Sequence, residues 1–363
     1  MHMRLFLTMA ALAGMGGAAW ARPTGDALVP RYDHVVVIVE ENKDYSQLMD
    51  PKVAPNFTRF AAAYGNATRF YGEVHPSEAD YIALLGGDTF GIHDDDPYFC
   101  STASRDRKCL GVGLPGYPDH TVKKPHLGQQ LEAAGLSWKG YYEDLPAPGS
   151  LEVTGVDPSV TETARPPDLY VTKHSGFINF KAVQDDPRRA EHMVDFHQLD
   201  ADLAADQLPS FALVIPNQCN EMHGIFGSNV PKDCTGQNRA ALIGRGDKVL
   251  GDLVARLQAT PAWSGPGNFA IVITFDEGGG RSREGCCGVT PNAASNYGGG
   301  HIPTVVITNH GPRGVADATP YNHYSLLRTI EDAFGIKQHL GHAADTRKGV
   351  VPMLKLFAVA PTP

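Results

Sequence analysis

Three apolar segments of this sequence each run into groups that can bind a cation or move a proton. Residues 34–39 (HVVVIV) lead into Glu40, Glu41 and Asn42, residues 211–215 (FALVI) lead through Asn217 to Glu221 and His223, and residues 269–275 (FAIVITF) lead into Asp276 and Glu277. Carboxylate and amide oxygens suit hard divalent cations, and nearby imidazoles widen the choice toward zinc, manganese or iron. One acidic residue after a strand is more often a solvated turn or a helix cap. Three such ends carry more weight, because parallel strands deliver their C-termini to one edge of a sheet, where open α/β folds place their ligands. A fourth segment, residues 75–81 (HPSEADY), holds the Ser77 hydroxyl in a turn before a short apolar helix over 81–85. Helix N-termini present unpaired N–H groups and the positive end of a dipole, which bind phosphate oxygens. The plainer use of the same residues is capping by Ser77 or Asp80. The Asp94-Asp95-Asp96 run beside His93 reads as a solvated loop.

The elements that must position these groups alternate. The apolar runs 34–39, 211–215, 269–275 and 302–308 predict buried strands, and helical patterns fall at 56–64, 81–85, 127–134, 199–205, 247–258 and 324–334. This alternation predicts an α/β fold: doubly wound, with a mostly parallel sheet and helices on both faces. Gly/Pro-rich stretches at 110–118 and 278–300, and much of 145–168, predict loops. No repeat or linker composition divides the chain, so a single domain over 22–363 is expected, with long loops around its site. Length and composition agree: 363 residues, 42% hydrophobic and 20% charged, suffice for a large core.

The formal charge of −9 argues against general affinity for nucleic acid or anionic membranes, which recruit basic surfaces. Arg4 followed by an apolar run over 5–20 and an Ala-Trp-Ala ending reads as a secretory signal over 1–21, cut before Arg22. The mature chain is then expected to be secreted or periplasmic, without an integral membrane segment. Six cysteines fit an oxidising compartment. Local disulfides Cys100–Cys109 and Cys219–Cys234 are expected, with Cys286 and Cys287 either vicinal or paired elsewhere. The lack of C-x-x-C or ordered His/Cys spacing speaks against a zinc site.

Seven motifs occur in one order along nearly the whole mature chain: 34–42 (HVVVIVEEN), 75–77 (HPS) with 81–87 (YIALLGG), 131–146 (LEAAGLSWKGYYEDLP), 216–223 (PNQCNEMH), 275–277 (FDE), 300–303 (GHIP) and 321–334 (YNHYSLLRTIEDAF). Together they resemble the bacterial and fungal phosphoesterase family of secreted acid phosphatases and phospholipases C, within the alkaline-phosphatase-like superfamily. The resemblance implies a doubly wound α/β fold, an active-site metal and a hydroxyl nucleophile. It places Ser77 as nucleophile and Glu41, Asn42, Ser77, Asp276 and Glu277 as metal ligands. It matches Glu221 and His223 to an Asp–His pair, Glu221 as a further ligand, and gives His301, His323 and His223 acid–base or water-orienting work. Lys173 and His174 resemble an element that meets the phosphate. Two positions depart from the pattern. Asp80 stands where an Asn amide touches a phosphate oxygen, so its charge is expected to oppose the substrate unless it is protonated, turned away or holding a metal. Glu221 replaces the more usual Asp.

The resulting expectation is a metal-dependent hydrolase (Mg, Ca, Mn or Zn) that cleaves small phosphate monoesters through a phosphoserine. No amphipathic or basic lipid-binding element stands out, so phospholipase C or another diesterase ranks second. A catalytically impaired binding homologue is the third reading. Sequence leaves the oligomeric state open.

Overall fold

The computed structural model describes residues 29–156, 167–226, 230–289 and 297–359. The segment read as a secretory signal lies outside these residues. A central eight-stranded sheet is built, in chain order, from β1 (His34–Glu40), β2 (Gly65–Ala67), β3 (Trp138–Tyr142), β4 (Met193–Val194), β5 (Phe211–Ile215), β6 (Phe269–Phe275), β7 (Val305–Thr308) and β8 (Val315–Asp317). Its spatial order is β8-β2-β7-β6-β1-β5-β3-β4. Every neighbouring pair is parallel except the two made by β7, which runs against both β6 and β2. The predicted strand over 302–308 therefore exists in shorter form, as the one reversed strand of the sheet.

β1 occupies the centre, paired from Val35 to Ile38 with β5 and from His34 to Glu40 with β6. A strand flanked on both edges and covered on both faces must be apolar throughout, and its run HVVVIV meets that demand. Val35 to Val39 are all buried, as are all residues of β5 and β6. Each buried Val or Ile contributes roughly 1.5–3 kcal/mol, so these three strands fix the sheet and the edge at which they end.

Six helices matter here: α1 (Pro55–Ala63), α2 (Glu78–Gly86), α3 (Leu127–Ala133), α4 (Phe196–Ala204), α5 (Arg239–Gln258) and α6 (His323–Ala333). α1 packs on α5, and α2 packs on α6. α2 is buried along its whole length, whereas α5 buries one stripe, from Leu242 and Ile243 to Val254 and Leu257. α5 begins eight residues before its predicted start, and those first two turns already bury Leu242, Ile243 and Gly246. β3 and β4 were not foreseen. Lys139 and Gly140 break the apolar run of β3, and Lys139 is accommodated by an ion pair to Asp202 on α4 at 2.5 Å. The Tyr141 hydroxyl donates to the same carboxylate at 2.6 Å.

All three disulfides are local: Cys100–Cys109, Cys219–Cys234 and the vicinal Cys286–Cys287. Among the described residues no helix is long and apolar enough to cross a membrane.

Candidate active site

The C-terminal ends of β1, β5 and β6 point to the same edge, and the chain bends there into polar residues. After β1, Asn42 adopts a positive φ of 30°, a backbone region that Asn tolerates better than most residues. That turn lets the Asn42 N–H donate to Asp276 Oδ1 at 2.9 Å, tying the end of β1 to the end of β6. The Glu41 N–H donates to the Glu221 carbonyl at 2.7 Å, tying it to the loop after β5.

Ser77 completes the group from the N-terminus of α2. Its backbone is helical (φ −48°, ψ −48°) and its side chain makes no capping bond. Instead Oγ donates to Glu41 Oε2 at 3.1 Å and lies 3.4 Å from Glu277 Oε1. Asp95 takes over at the helix end, accepting from the Glu78 N–H at 3.2 Å. The serine hydroxyl is thus released from the structural duty that its position offers.

Around Ser77 the site is dry and acidic. Glu41, Glu221 and Asp276 are each no more than 1% exposed. Burial, reinforced by the nearby Asp276 and Glu221, holds the Glu41 carboxyl well above its ordinary range. Glu221 is raised by burial and by Asp276, and Asp276 chiefly by burial. Tyr81, one turn into α2, donates from its hydroxyl to Glu41 Oε1 at 2.7 Å. His174 lies between two carboxylates, with Nε2 3.3 Å from Glu41 Oε1 and Nδ1 2.7 Å from Glu221 Oε1. Burial, aided by Lys173 and His223, pushes His174 well below its usual value.

Lys173 reaches the Asp95 carboxylate at 2.8 Å. Burial works against its charge, but Asp95 and Glu41 outweigh that and hold the ammonium in its charged form. His223 packs 5.1 Å from His174, centroid to centroid, and donates from Nδ1 to the Gly224 carbonyl at 2.7 Å. That bond leaves Nε2 as the lone-pair nitrogen. Burial pushes the ring down to about 4.

Three predicted residues take other places. His301 stacks on Tyr45 at 4.6 Å and donates from Nε2 to the Thr68 carbonyl at 2.9 Å. Its ring also packs 5.3 Å from that of Tyr71, centroid to centroid. His323 is likewise spent: Nε2 donates to the Phe275 carbonyl at 2.9 Å and Nδ1 to Glu73 Oε2 at 2.5 Å. Burial opposes its charge, but Glu73 raises it above the ordinary histidine value. Its ring thus ties the end of β6 to Glu73. Asp80 is held by the backbone that precedes α2. Its Oδ1 accepts from the Glu73 and Val74 N–H groups at 2.7 and 3.3 Å, and burial followed by Glu73 raises it well above the carboxylate range.

The Asp94-Asp95-Asp96 run is no solvated loop either. Asp94 lies 3.0 Å from His120 Nε2, Asp95 holds Lys173 and the start of α2, and Asp96 accepts from Tyr117 and the Gly111 N–H. Sequence reasoning missed His75, whose Nδ1 contacts Glu277 Oε2 and whose Nε2 donates to the Ser282 carbonyl at 2.6 Å. It also missed Tyr81, Glu73 and Lys43. The His75-Pro-Ser motif was the available signal for the first. Nothing local marks Lys43, whose ammonium is buried against the Met222 carbonyl at 2.8 Å and lowered to about 8 by burial.

The donor set suits a divalent cation. Carboxylate oxygens of Glu41, Asp276 and Glu277 converge with Ser77 Oγ, and Asp276 Oδ2 is buried with no hydrogen-bond partner. Beside them, ligand atoms of Glu41, His174 and His223 lie within 4.8 Å of one another. Glu73, Asp80 and His323 form a further compact set, in which Asp80 Oδ2 is buried without a hydrogen-bond partner.

One solved structure with this arrangement of elements is described as a member of the alkaline phosphatase superfamily. A Vibrio parahaemolyticus protein of that superfamily superposes with a TM-score of 0.51 at 11% identity, over 85% of this chain and 68% of its own. A lipoteichoic acid synthase from Listeria monocytogenes gives 0.50 at 12% identity, over 90% and 78%. The family model described as Phosphoesterase family matches residues 49–337, and the chain belongs to that family of hydrolases acting on phosphate ester bonds. Among curated relatives, a phosphatidylinositol-3-phosphatase of Mycobacterium tuberculosis is 28% identical over 91% of this chain and 86% of its own length. An acid phosphatase of Aspergillus fumigatus is 26% identical over 82% of this chain, which spans only 53% of that longer protein. A non-specific phospholipase C of Arabidopsis thaliana is 23% identical over 86% and 52%.

Proposed function

We propose that the protein is an exported, metal-dependent phosphomonoesterase, organised as one domain over 22–363, that works through Ser77 as nucleophile. The observation that carries this reading is the Ser77 hydroxyl. It starts a buried helix, is relieved of capping, and is aimed at Glu41 and Glu277. Glu41, Asn42, Ser77, Asp276 and Glu277 would hold a divalent cation, and Glu221 would stand behind them. When bound, such a cation lowers the pKa of a hydroxyl and offsets charge on phosphoryl oxygens.

The chain's own groups account for the remaining steps. Ionised, as a cation ligand must be, Glu41 accepts the Ser77 proton across the 3.1 Å hydrogen bond as Oγ attacks phosphorus; the ester P–O bond breaks and the same proton passes to the departing alcohol oxygen. Tyr81 and His174 fix the Glu41 carboxylate in place. Lys173, held charged by Asp95, and the N-terminus of α2 face the anionic oxygens of the phosphoryl group. His223, neutral and with its lone pair on Nε2, can take a proton from the water that releases phosphate from Ser77. The three disulfides fit an oxidising compartment.

The test is phosphate release from a chromogenic monoester and a matched diester, with and without chelator, combined with mass spectrometry of acid-quenched enzyme. Phosphate on the peptide containing Ser77, lost after chelation, is the expected result. Turnover unaffected by exhaustive chelation, or phosphate trapped on another residue, refutes the reading. A diester rate far above the monoester rate would instead favour a phospholipase C activity.

A further inference from the structure

Beside the reacting group opens a cleft of about 760 Å³ whose lining includes Asn42, Lys43, His223, Arg239, Arg281 and Ser282. Two of these residues join it to the chemistry: the Asn42 N–H bonds Asp276, and the Ser282 carbonyl accepts from His75. Arg239 opens α5, and Arg281 stands in the Gly-rich loop after Glu277.

The charge of the cleft runs against that of the chain. Among the described residues, neither the Arg239 nor the Arg281 guanidinium has an ion-pair or hydrogen-bond partner. Elsewhere Arg188, Arg245 and Arg256 each sit on a carboxylate. Lys43 adds a third cation at the floor. The one carboxylate of the lining, Asp44, accepts from the Gly279 N–H at 2.9 Å. A chain with nine more acidic than basic side chains thus keeps two unpaired guanidiniums at the mouth of its site. Guanidiniums bind carboxylate and phosphate oxygens through paired N–H donors, and a volume of this size holds a small organic anion.

We propose that this cleft is a second anion subsite that receives the leaving group. The preferred substrates are then phosphate monoesters whose alcohol portion carries a further phosphate or carboxylate. The inference rests on the Ser77 reading above, because it assigns the cleft to the far side of the same scissile ester.

Three esters of one scaffold separate the possibilities: glycerol 3-phosphate, 3-phosphoglycerate and glycerol 1,3-bisphosphate. For the wild type, kcat/KM should be at least roughly tenfold higher for one or both of the doubly anionic esters, and the advantage should shrink as salt is raised. Which of the two gains more identifies carboxylate or phosphate as the second group. R239A/R281A should lose most of that advantage while keeping glycerol 3-phosphate within about threefold of the wild-type rate. Equal rates on the three esters, or an equal loss on all of them in the variant, would overturn the subsite. Should no ester be hydrolysed, the Ser77 reading fails separately. The cleft is then judged by calorimetric binding of inorganic pyrophosphate, which R239A/R281A must weaken by about tenfold more than binding of inorganic phosphate. A smaller difference overturns the subsite too.

Discussion

His120, fully buried between two carboxylates, offers a sharp test of how Ser77 is held. It is fully buried, with Nδ1 2.7 Å from Glu78 Oε2 and Nε2 3.0 Å from Asp94 Oδ1. Glu78, the residue after Ser77, also accepts from the Asn179 amide at 2.7 Å. At about 3 Å and an effective dielectric near 20, each ion pair is worth about 5 kcal/mol before desolvation is charged against it. Removing one partner of such a buried group costs about 3–5 kcal/mol, a large share of the ~5–15 kcal/mol that stabilises a typical domain. H120N should therefore lower Tm by roughly 5–15 °C near neutral pH. The pH dependence carries the sharper signature. Burial opposes the His120 charge, but Asp94 and Glu78 outweigh it and raise the group from 6.5 to about 10. A histidine raised on folding contributes stability that is fully present below 6.5 and is lost as pH climbs through 10. The gap between wild type and H120N should accordingly narrow from pH 6.5 to 10, followed by calorimetry in one metal condition. Because Glu78 adjoins the nucleophile, kcat should also fall, by up to about a hundredfold. A gap that stays constant across this window, or a Tm unchanged within two degrees, refutes the reasoning.

Ser77→Ala should leave a folded protein whose turnover is reduced by several orders of magnitude, roughly the loss seen when nucleophiles are removed elsewhere; near-normal phosphate release would contradict it. Asp276→Asn keeps the shape of the ligand but loses its charge, so metal content by elemental analysis and activity should drop together. Asp80→Asn should change monoester and diester rates by the same factor, because its Oδ1 faces the backbone of Glu73 and Val74; a selective gain for monoesters would place the carboxylate at the phosphate after all. Cys219→Ser with Cys234→Ser removes a crosslink of sequence separation 15 and should cost about 3 kcal/mol in denaturant titrations.

The parts of this molecule that were legible in its sequence are those governed by local patterns. Unbroken apolar runs announced β1, β5 and β6, and the polar residues just past them announced where the site would form. The positions at which legibility stopped share one physical cause: their partners are distant in the chain. Asp94, Asp95 and Asp96 look solvated until His120, Lys173 and Tyr117 are brought to them. Asp80 looks like a threat to phosphate until the Glu73 and Val74 amides claim it. His301 and His323 carry the right chemistry in the right order, yet Thr68, Phe275 and Glu73 occupy their nitrogens. β3 escaped notice because the charge of Lys139 is answered by Asp202, 63 residues later.

The crowding of buried carboxylates at this edge would make the proposed metal site an exchanger of protons for cations. Glu41, Glu221 and Asp276 retain protons above the ordinary carboxylate range when no cation compensates them. Groups raised in this way bind more protons folded than unfolded, so they subtract stability as pH rises through and above that range. A divalent ion entering the cluster must evict those protons, which makes its uptake release acid into the medium and weaken as the medium acidifies. Loading an unbuffered solution of the protein with metal should therefore lower its pH. In acidic surroundings the working range of the proposed metal-dependent enzyme would be bounded by protonation of Glu41 and its neighbours, which would expel the ion.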